Sequence, residues 1–330
     1  MIKFFDYDWQ LETAFIPLKI LSESGGKFGM LIREQGMPMV AGKEKWVCRY
    51  LDDSAVNCSK RALTANKLGW FDAQKKPVFV LPKSIIGGNE IDSVFFQTNH
   101  MQDTSCLSVG GTLQDWQKRV ADPCKGNPLL MFAAMSALAG PLLKLCRGES
   151  AGFHFYGATS GGKTTLLQVA ASVWGDGTDP QEGADHTSIR KWHSTGNALE
   201  ATAQMHNDMT LCLDEVGQVE PGDLGNIIYM LSGGQPKGRS QIEGGLKKQV
   251  TWRLLFLSNG EMTVGQILAQ AGQAEKGGQR HRLPDIPCDN PNGDGSGVVI
   301  KTHGQEIKRF VDDIKEACGE CFGHAGPVLV

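Results

Sequence analysis

The sequence predicts an α/β fold built on a central, mainly parallel sheet, preceded by a mixed, strand-rich N-terminal domain. Three observations carry this. From Gly152 to about Pro287, strand-like runs alternate with helix-like stretches. The runs GFHFY, TLCLD and WRLLFLS are mostly apolar, as strands covered by helices on both faces must be. Before about residue 105 the pattern changes to short β-like runs, FIPLKIL, FGMLI, PVFVL and SVFFQT, separated by Gly, Pro and Asp clusters.

The chain has 330 residues, which at roughly one domain per 150 residues suggests two domains. A hydrophobic fraction of 41% and a charged fraction of 21% belong to a folded soluble protein, with no low-complexity segment and no fixed-period repeat. The net charge of −3 argues against coating nucleic acid with the whole surface, so any such contact must come from a local patch. The 9 cysteines follow no framework spacing and the N-terminus MIKFFDYDWQ lacks the apolar core of a signal peptide, so a cytoplasmic location is expected.

In chain order, residues 1–110 form the mixed N-terminal domain, without a motif that carries chemistry. Residues 111–150 read as a helical lead-in: TLQDWQKRVAD with Thr112 as its cap, then PLLMFAAMSALAGPLL, Pro128 to Leu143. That apolar run is too short for a membrane span, which needs about 20 residues, and Gly140-Pro141 interrupts it. It is expected as a buried helix with Asn127 as N-cap and Pro128 at its first position.

The core, residues 151–290, opens on FHFYGATSGGKTTLLQVAASVWG. Gly157, Gly162, Lys163 and Thr164 fit G-x-x-x-x-G-K-[ST], set between a strand and a helix. Such a loop wraps backbone N–H groups around phosphates, with glycines for close approach and the helix N-terminus behind. The nucleotide-binding residues are expected to be Gly157, Ala158, Thr159, Ser160, Gly161, Gly162, Lys163, Thr164 and Thr165, with ATP as cofactor. Lys163 would bridge the β- and γ-phosphates, and Thr164 would ligate Mg2+. The core is thus expected to be a P-loop NTPase.

Some fifty residues on, the apolar strand MTLCLDE ends in an acidic pair. Asp214 would hold Mg2+ through water, and Glu215 would polarise the attacking water. WRLLFLSNGE ends a third strand in Ser258 and Asn259, where an asparagine can orient that water. GGQRHRLPDIP puts Arg280 and Arg282 in what reads as a glycine-rich loop rather than on a helix face, from which an arginine can reach a phosphate bound by a neighbouring subunit. Residues 291–330 form a C-terminal helical segment holding the amphipathic run EIKRFVDDIKEAC. The ending GHAGPVLV, without a polar end or cap, reads as a chain cut short.

Between the acids and the third strand, QPKGRSQIEGGLKKQVTWR concentrates Lys237, Arg239, Lys247, Lys248 and Arg253 against a single Glu243. Of these, Lys237, Arg239, Lys247 and Lys248 are the DNA-contact candidates: Gly244-Gly245 would turn a hairpin whose tip carries Lys247 and Lys248, making salt-sensitive, sequence-independent phosphate contacts. The plainer alternative is a solvated basic loop, and Lys237 or Arg239 would alternatively face the next subunit's nucleotide. Cys318, Cys321 and His324 in CGECFGH give one ligand pair and a histidine, an incomplete zinc set that reads as helix-end cysteines. PNGDGSG, Pro291 to Gly297, lacks the twelfth-position glutamate of an EF-hand and reads as a loop.

Six blocks in order, from WQKRVADPCKGNPLLMFAAMSALAGPLL through ESAGFHFYGATSGGKTTLLQVAASVWG, KWHSTGNALEATAQMHNDMTLCLDEVGQ, LGNIIYMLSGGQPKGRS and TWRLLFLSNGE to GGQRHRLPDIP, resemble domain-of-unknown-function family 927 (DUF927). The resemblance is strongest from Gly111 to Pro287. It implies that the P-loop NTPase core is AAA+/ASCE-like, that of a superfamily 3/MCM-like AAA+ helicase of phages and mobile elements, often fused to or neighbouring a primase. It further implies a homo-oligomeric ring, expected as a hexamer, that pulls one strand of single-stranded or forked DNA through its pore. By resemblance Lys163 and Thr164 are the Walker A pair, Asp214 and Glu215 the Walker B pair, Asn259 the polar sensor and Arg282 the arginine finger. Trp192, Thr195, Asn197, Leu199 and Glu200 also fit the family pattern, without an assigned chemical role. The first hundred residues carry neither a zinc-binding cysteine set nor an acidic catalytic cluster, so a primase would be a separate partner. The expected function is an ATP- and Mg2+-dependent DNA helicase or translocase, with no membrane association. The alternative is an ATP-dependent regulatory switch that binds a protein partner without translocating on DNA. A core that binds nucleotide without turnover is a third reading, against which Glu215 counts.

Overall fold

The computed structural model describes all residues except 1, 15, 17–19, 22–24, 35, 59–61, 74–75, 88–93, 98–103, 160, 183–185, 237–250 and 290–296. The chain divides into two compact units, Met1–Leu63 and Thr64–Val330. In the first, Ile2–Phe5 and Leu11–Ala14 form an antiparallel hairpin, followed by helices Gly25–Glu34 and Glu44–Asn57. FGMLI, expected as a strand, lies inside the first of these helices. Phe28 and Ile32, four residues apart and fully buried, share one helix face, while Met30 between them is exposed. The run follows a helical period and not an alternating one. Of FIPLKIL, the described Ile20 and Leu21 are helical. Phe28 and Ile32 pack with Phe4, Ala14 and Cys48 into a small core of this unit's own.

The second unit begins with short strands. Gly69–Asp72, Pro77–Val80 and Ile85–Ile86 form an antiparallel meander, and Val94–Phe96 pairs with Leu63–Ala65. PVFVL and SVFFQT therefore supply strands as expected. Phe79 sits edge-on to Trp70 and stacked on Trp174, and Asn207 donates to the Leu68 carbonyl at 2.7 Å.

The lead-in helix starts at Leu113 with the Thr112 hydroxyl accepting the Asp115 N–H. It continues through a π-helical turn, Gln117–Ala121, to Cys124. Helix α1, Pro128–Ala139, buries Leu130, Ala133, Ser136 and Ala137. It is not buried all round: Met131 and Met135, one turn apart, are exposed. Asn127 occupies the N-cap position, but its side chain does not cap. Its amide instead donates to the carbonyls of Pro123 and Lys301 and accepts the N–H groups of Ile300 and Lys301. Fully buried, it latches the C-terminal segment to the lead-in. Asn127→Ala orphans two N–H groups and is expected to lower unfolding free energy by about 3 kcal/mol, measured by urea titration.

The central sheet holds five parallel strands: β1 Ala151–Tyr156, β2 Ile189–Lys191, β3 Thr210–Asp214, β4 Leu255–Gly260 and β5 Asp285–Pro287. Their spatial order is β5-β1-β4-β3-β2. Helices follow in the expected alternation: α2 Lys163–Ser172, α3 Gly196–Met205, α4 Pro221–Gly233, α5 Val264–Gln270, α6 Gly277–Arg282 and α7 Ile307–Glu320. Helix α2 packs with α1 and α7. Leu211 and Leu213 of β3, two residues apart and so on one face, join Phe256 of β4, Leu199 of α3, Leu231 of α4 and Ile267 of α5 in a second core.

One expectation is corrected here. GGQRHR is the helix α6 and not a loop. Gln279 accepts the Lys276 N–H and is buried, so the turn closes despite two glycines. Among the described residues, no helix is long and apolar enough to cross a membrane.

Candidate nucleotide-binding site

The loop between β1 and α2 reverses direction at Gly162, whose φ of 82° lies in the left-handed region that favours glycine. A Cβ there would come within 2.7 Å of Val298 Cγ2, so glycine is required twice over. The next residue, Lys163, opens α2 and is almost fully buried. Its ammonium donates to the carbonyls of Gly157 at 3.0 Å and Ala158 at 2.6 Å. The charge is thus held at the mouth of the loop by oxygens that phosphate oxygens can replace. Thr164 follows in the first turn, and Thr165 is buried with its hydroxyl unpartnered. Of the expected loop residues, Ser160 lies outside the described residues.

Two segments brace the loop. After β5, Asp289 accepts the Ala158 N–H at 3.3 Å, and the Val298 N–H donates to the Gly161 carbonyl at 3.0 Å. After β4, Glu261 accepts a 2.5 Å hydrogen bond from the Thr159 hydroxyl.

The acids lie at the C-terminal end of β3. Asp214 is buried, and one Asn259 side chain serves both carboxylate residues. Its Nδ2 donates to Asp214 Oδ1 at 2.7 Å, and its Oδ1 accepts the Glu215 N–H at 2.7 Å. Because β4 neighbours β3 directly, the asparagine needs no reach to do this. Glu215 has φ 59°, a left-handed conformation that costs a non-glycine residue about 1 kcal/mol and that the Asn259 bond holds in place. Burial, and then the Asp214 charge, raise the Glu215 carboxyl above its ordinary range. Burial also raises Asp214, with the Asn259 hydrogen bond opposing. Oxygen donors alone, the Thr164 hydroxyl and the Asp214 carboxylate, suit a hard cation such as Mg2+ that keeps much of its water.

The arginines stand apart from this centre. Arg282, at the end of α6, lies over the Tyr229 ring with Cζ 5.3 Å from the centroid, and donates to the Gly278 carbonyl at 3.0 Å. Arg280 is exposed. Lys237, Arg239, Lys247 and Lys248 lie outside the described residues. Cys318 and Cys321 are buried, and His324 bonds the Gly111 carbonyl.

The polar ladder behind Asn259 was not anticipated from sequence. His154 of β1 is paired in register with Ser258 of β4. Its Nδ1 lies 2.9 Å from Ser258 Oγ, and its Nε2 lies 2.9 Å from the Met262 carbonyl. A carbonyl only accepts, so Nε2 carries the proton and Nδ1 accepts from the Ser258 hydroxyl. Burial pushes the imidazole down to about 4, so it is neutral at physiological pH. Ser258 in turn accepts from the Trp192 indole N–H at 2.9 Å. The available signal was a lone histidine inside the apolar strand GFHFY.

A family model described as Domain of unknown function (DUF927) matches residues 1–252. The chain belongs to the DUF927 family. The match covers three of the five sheet strands, the phosphate loop and the acid pair, and it also takes in the N-terminal hairpin unit. Among solved structures, this DUF927 chain is similar to SCCmec type IV Cch, described as an active helicase. The TM-score is 0.70 at 18% identity, covering 96% of this chain and 55% of that one. The chain therefore spans little more than half the length of that helicase, and the likeness shows a shared fold. The apo C-terminal region of NrS-1 is more distant (TM-score 0.35, 10% identity, 86% of this chain and 60% of that one). So is the ATP complex of NtrX from Brucella abortus (TM-score 0.30, 14% identity, 55% and 38%). No curated protein matches the sequence.

Proposed function

We propose that this DUF927 chain is an ATP-hydrolysing motor that translocates on DNA as a homo-oligomeric ring, a helicase of a mobile element. The observation that carries the reading is the Asn259 bridge, which ties Asp214 and Glu215 together at the strand end with one side chain. A site that only bound nucleotide would have no use for a strained glutamate whose carboxyl is raised above its ordinary range. Lys163, Thr164 and the N–H groups of the loop hold the triphosphate. When bound, Mg2+ supplies charge neutralisation to the phosphates, and Thr164 and Asp214 would hold it. Glu215 takes the proton of the attacking water, and Asn259 fixes the glutamate's backbone while it does so. Arg282 reaches the site of an adjacent subunit and stabilises the transferring phosphoryl group. DNA engages the basic segment with Lys237, Arg239, Lys247 and Lys248, and a primase is a natural partner.

The test is ATP hydrolysis by the purified protein with and without single-stranded DNA, at low and high salt, with Lys163→Ala as blank. Turnover stimulated by DNA, with stimulation fading as salt rises and lost in the Lys247→Ala/Lys248→Ala double variant, is expected. Turnover indifferent to DNA overturns the motor reading in favour of the partner-binding switch.

A further inference from the structure

The block KWHSTGNALE has no chemical role in the reading above, and its first aromatic is placed where one is needed. Trp192 follows β2 directly, and its indole N–H bonds Ser258 on β4. In the sheet, β3 lies between β2 and β4. The indole therefore crosses the C-terminal end of β3, where the chain leaves the sheet at Asp214 and Glu215. The Trp192 backbone N–H also donates to the Asp214 carbonyl at 3.0 Å. One buried residue is thus bonded to both strands whose ends form the acid centre.

Ser258 is the residue before Asn259, so whatever holds the Ser258 hydroxyl also sets the strand end from which Asn259 reaches the acids. The remainder of the ladder runs to the other side of the site: Ser258 to His154, then to the carbonyl of Met262, next to Glu261, whose carboxylate holds Thr159 of the phosphate loop. The remaining members of the block support the tryptophan. Thr195 caps α3 by accepting the Ala198 N–H, and Leu199 is buried in the same core as Trp192. On its outer side Trp192 lines a cleft of about 620 Å3 with Asn197, Glu200 and Val219.

We infer that Trp192 is a positioning residue for the acid pair, acting through Ser258 and Asn259 as a strut across the end of β3. This rests on the reading of Asp214 and Glu215 as the hydrolytic centre. Trp192→Phe removes the N–H together with the five-membered ring that carries it, and Ser258→Ala removes the partner hydroxyl, which also donates to His154 Nδ1. Each is expected to lower kcat about 10-fold, with the affinity for a fluorescent ATP analogue within about twofold of wild type because the phosphate loop is intact. The double variant is expected to be slowed by less than the product of the two single effects, since the two share the Trp192–Ser258 bond. Loss of analogue binding and of thermal stability in step with kcat overturns the inference in favour of a packing role. Wild-type kcat in Trp192→Phe overturns it as well, leaving the hydrolytic centre standing. Wild-type turnover no higher than that of Lys163→Ala removes the reading on which it rests, and the inference with it.

Discussion

Glu215→Gln is expected to abolish ATP turnover while leaving ATP binding intact, and Lys163→Ala to abolish both. The glutamine keeps size and backbone but cannot take a proton from water, a loss of about 10²- to 10⁴-fold. Lys163→Ala removes the buried ammonium that the loop carbonyls now hold. Single-turnover hydrolysis alongside equilibrium binding of an ATP analogue separates the two outcomes, and a Glu215→Gln protein that turns over normally would exclude Glu215 as the base. Stability should move the opposite way to activity. The folded-state Glu215 carboxyl is raised, so below the ordinary carboxylate range both folded and unfolded forms are protonated and ionisation adds no cost. As pH rises through that range, the unfolded chain ionises first and the fold is penalised, fully so once the raised value is passed. Glu215→Gln should therefore melt higher than wild type at neutral pH and converge with it in acid.

Asn259→Ala is the second large effect. It takes the donor from the buried Asp214 carboxylate and the acceptor from the Glu215 N–H in one step. Without the donor, the Asp214 carboxyl rises further, because the Asn259 bond is what opposes its burial. Without the acceptor, the left-handed conformation of Glu215 loses its anchor. Turnover is expected to fall about 100-fold, with more Mg2+ needed for half-maximal rate, while ADP binds as in wild type. Asn259→Asp is a sharper control. It restores an acceptor for the Glu215 N–H but places a third carboxylate against Asp214, so it should be no better than alanine.

The phosphate loop and the acid pair were legible in the chain because each is local. The glycine, lysine and threonine spacing is dictated by backbone wrapping within eight residues, and TLCLDE carries its acids at the end of its own apolar run. That β1, β3 and β4 belong to one mainly parallel sheet was readable from their apolar runs, since strands covered on both faces must be apolar throughout. Where local patterns were ambiguous, tertiary packing decided. FGMLI is apolar enough for either period, and the helix wins because it puts Phe28 and Ile32 together into the core around Phe4. GGQRHR looks like a loop on account of its glycines, yet the buried Gln279 closes a helical turn.

The sequence by itself determined the chemistry on offer: which residues can cradle phosphates, which can accept a proton, and on what kind of element each sits. Only the tertiary structure decided how they are held. Asn259 spans two acids because β4 was inserted beside β3, Trp192 reaches Ser258 because β3 lies between their strands, and Asn127 latches a segment more than 170 residues away. These are contacts between elements far apart in the chain, made by a few hydrogen bonds of single side chains. Strand periodicity and motif spacing carry no information about them, because the partner of a buried polar group is chosen by which strand ends meet and not by its neighbours in sequence.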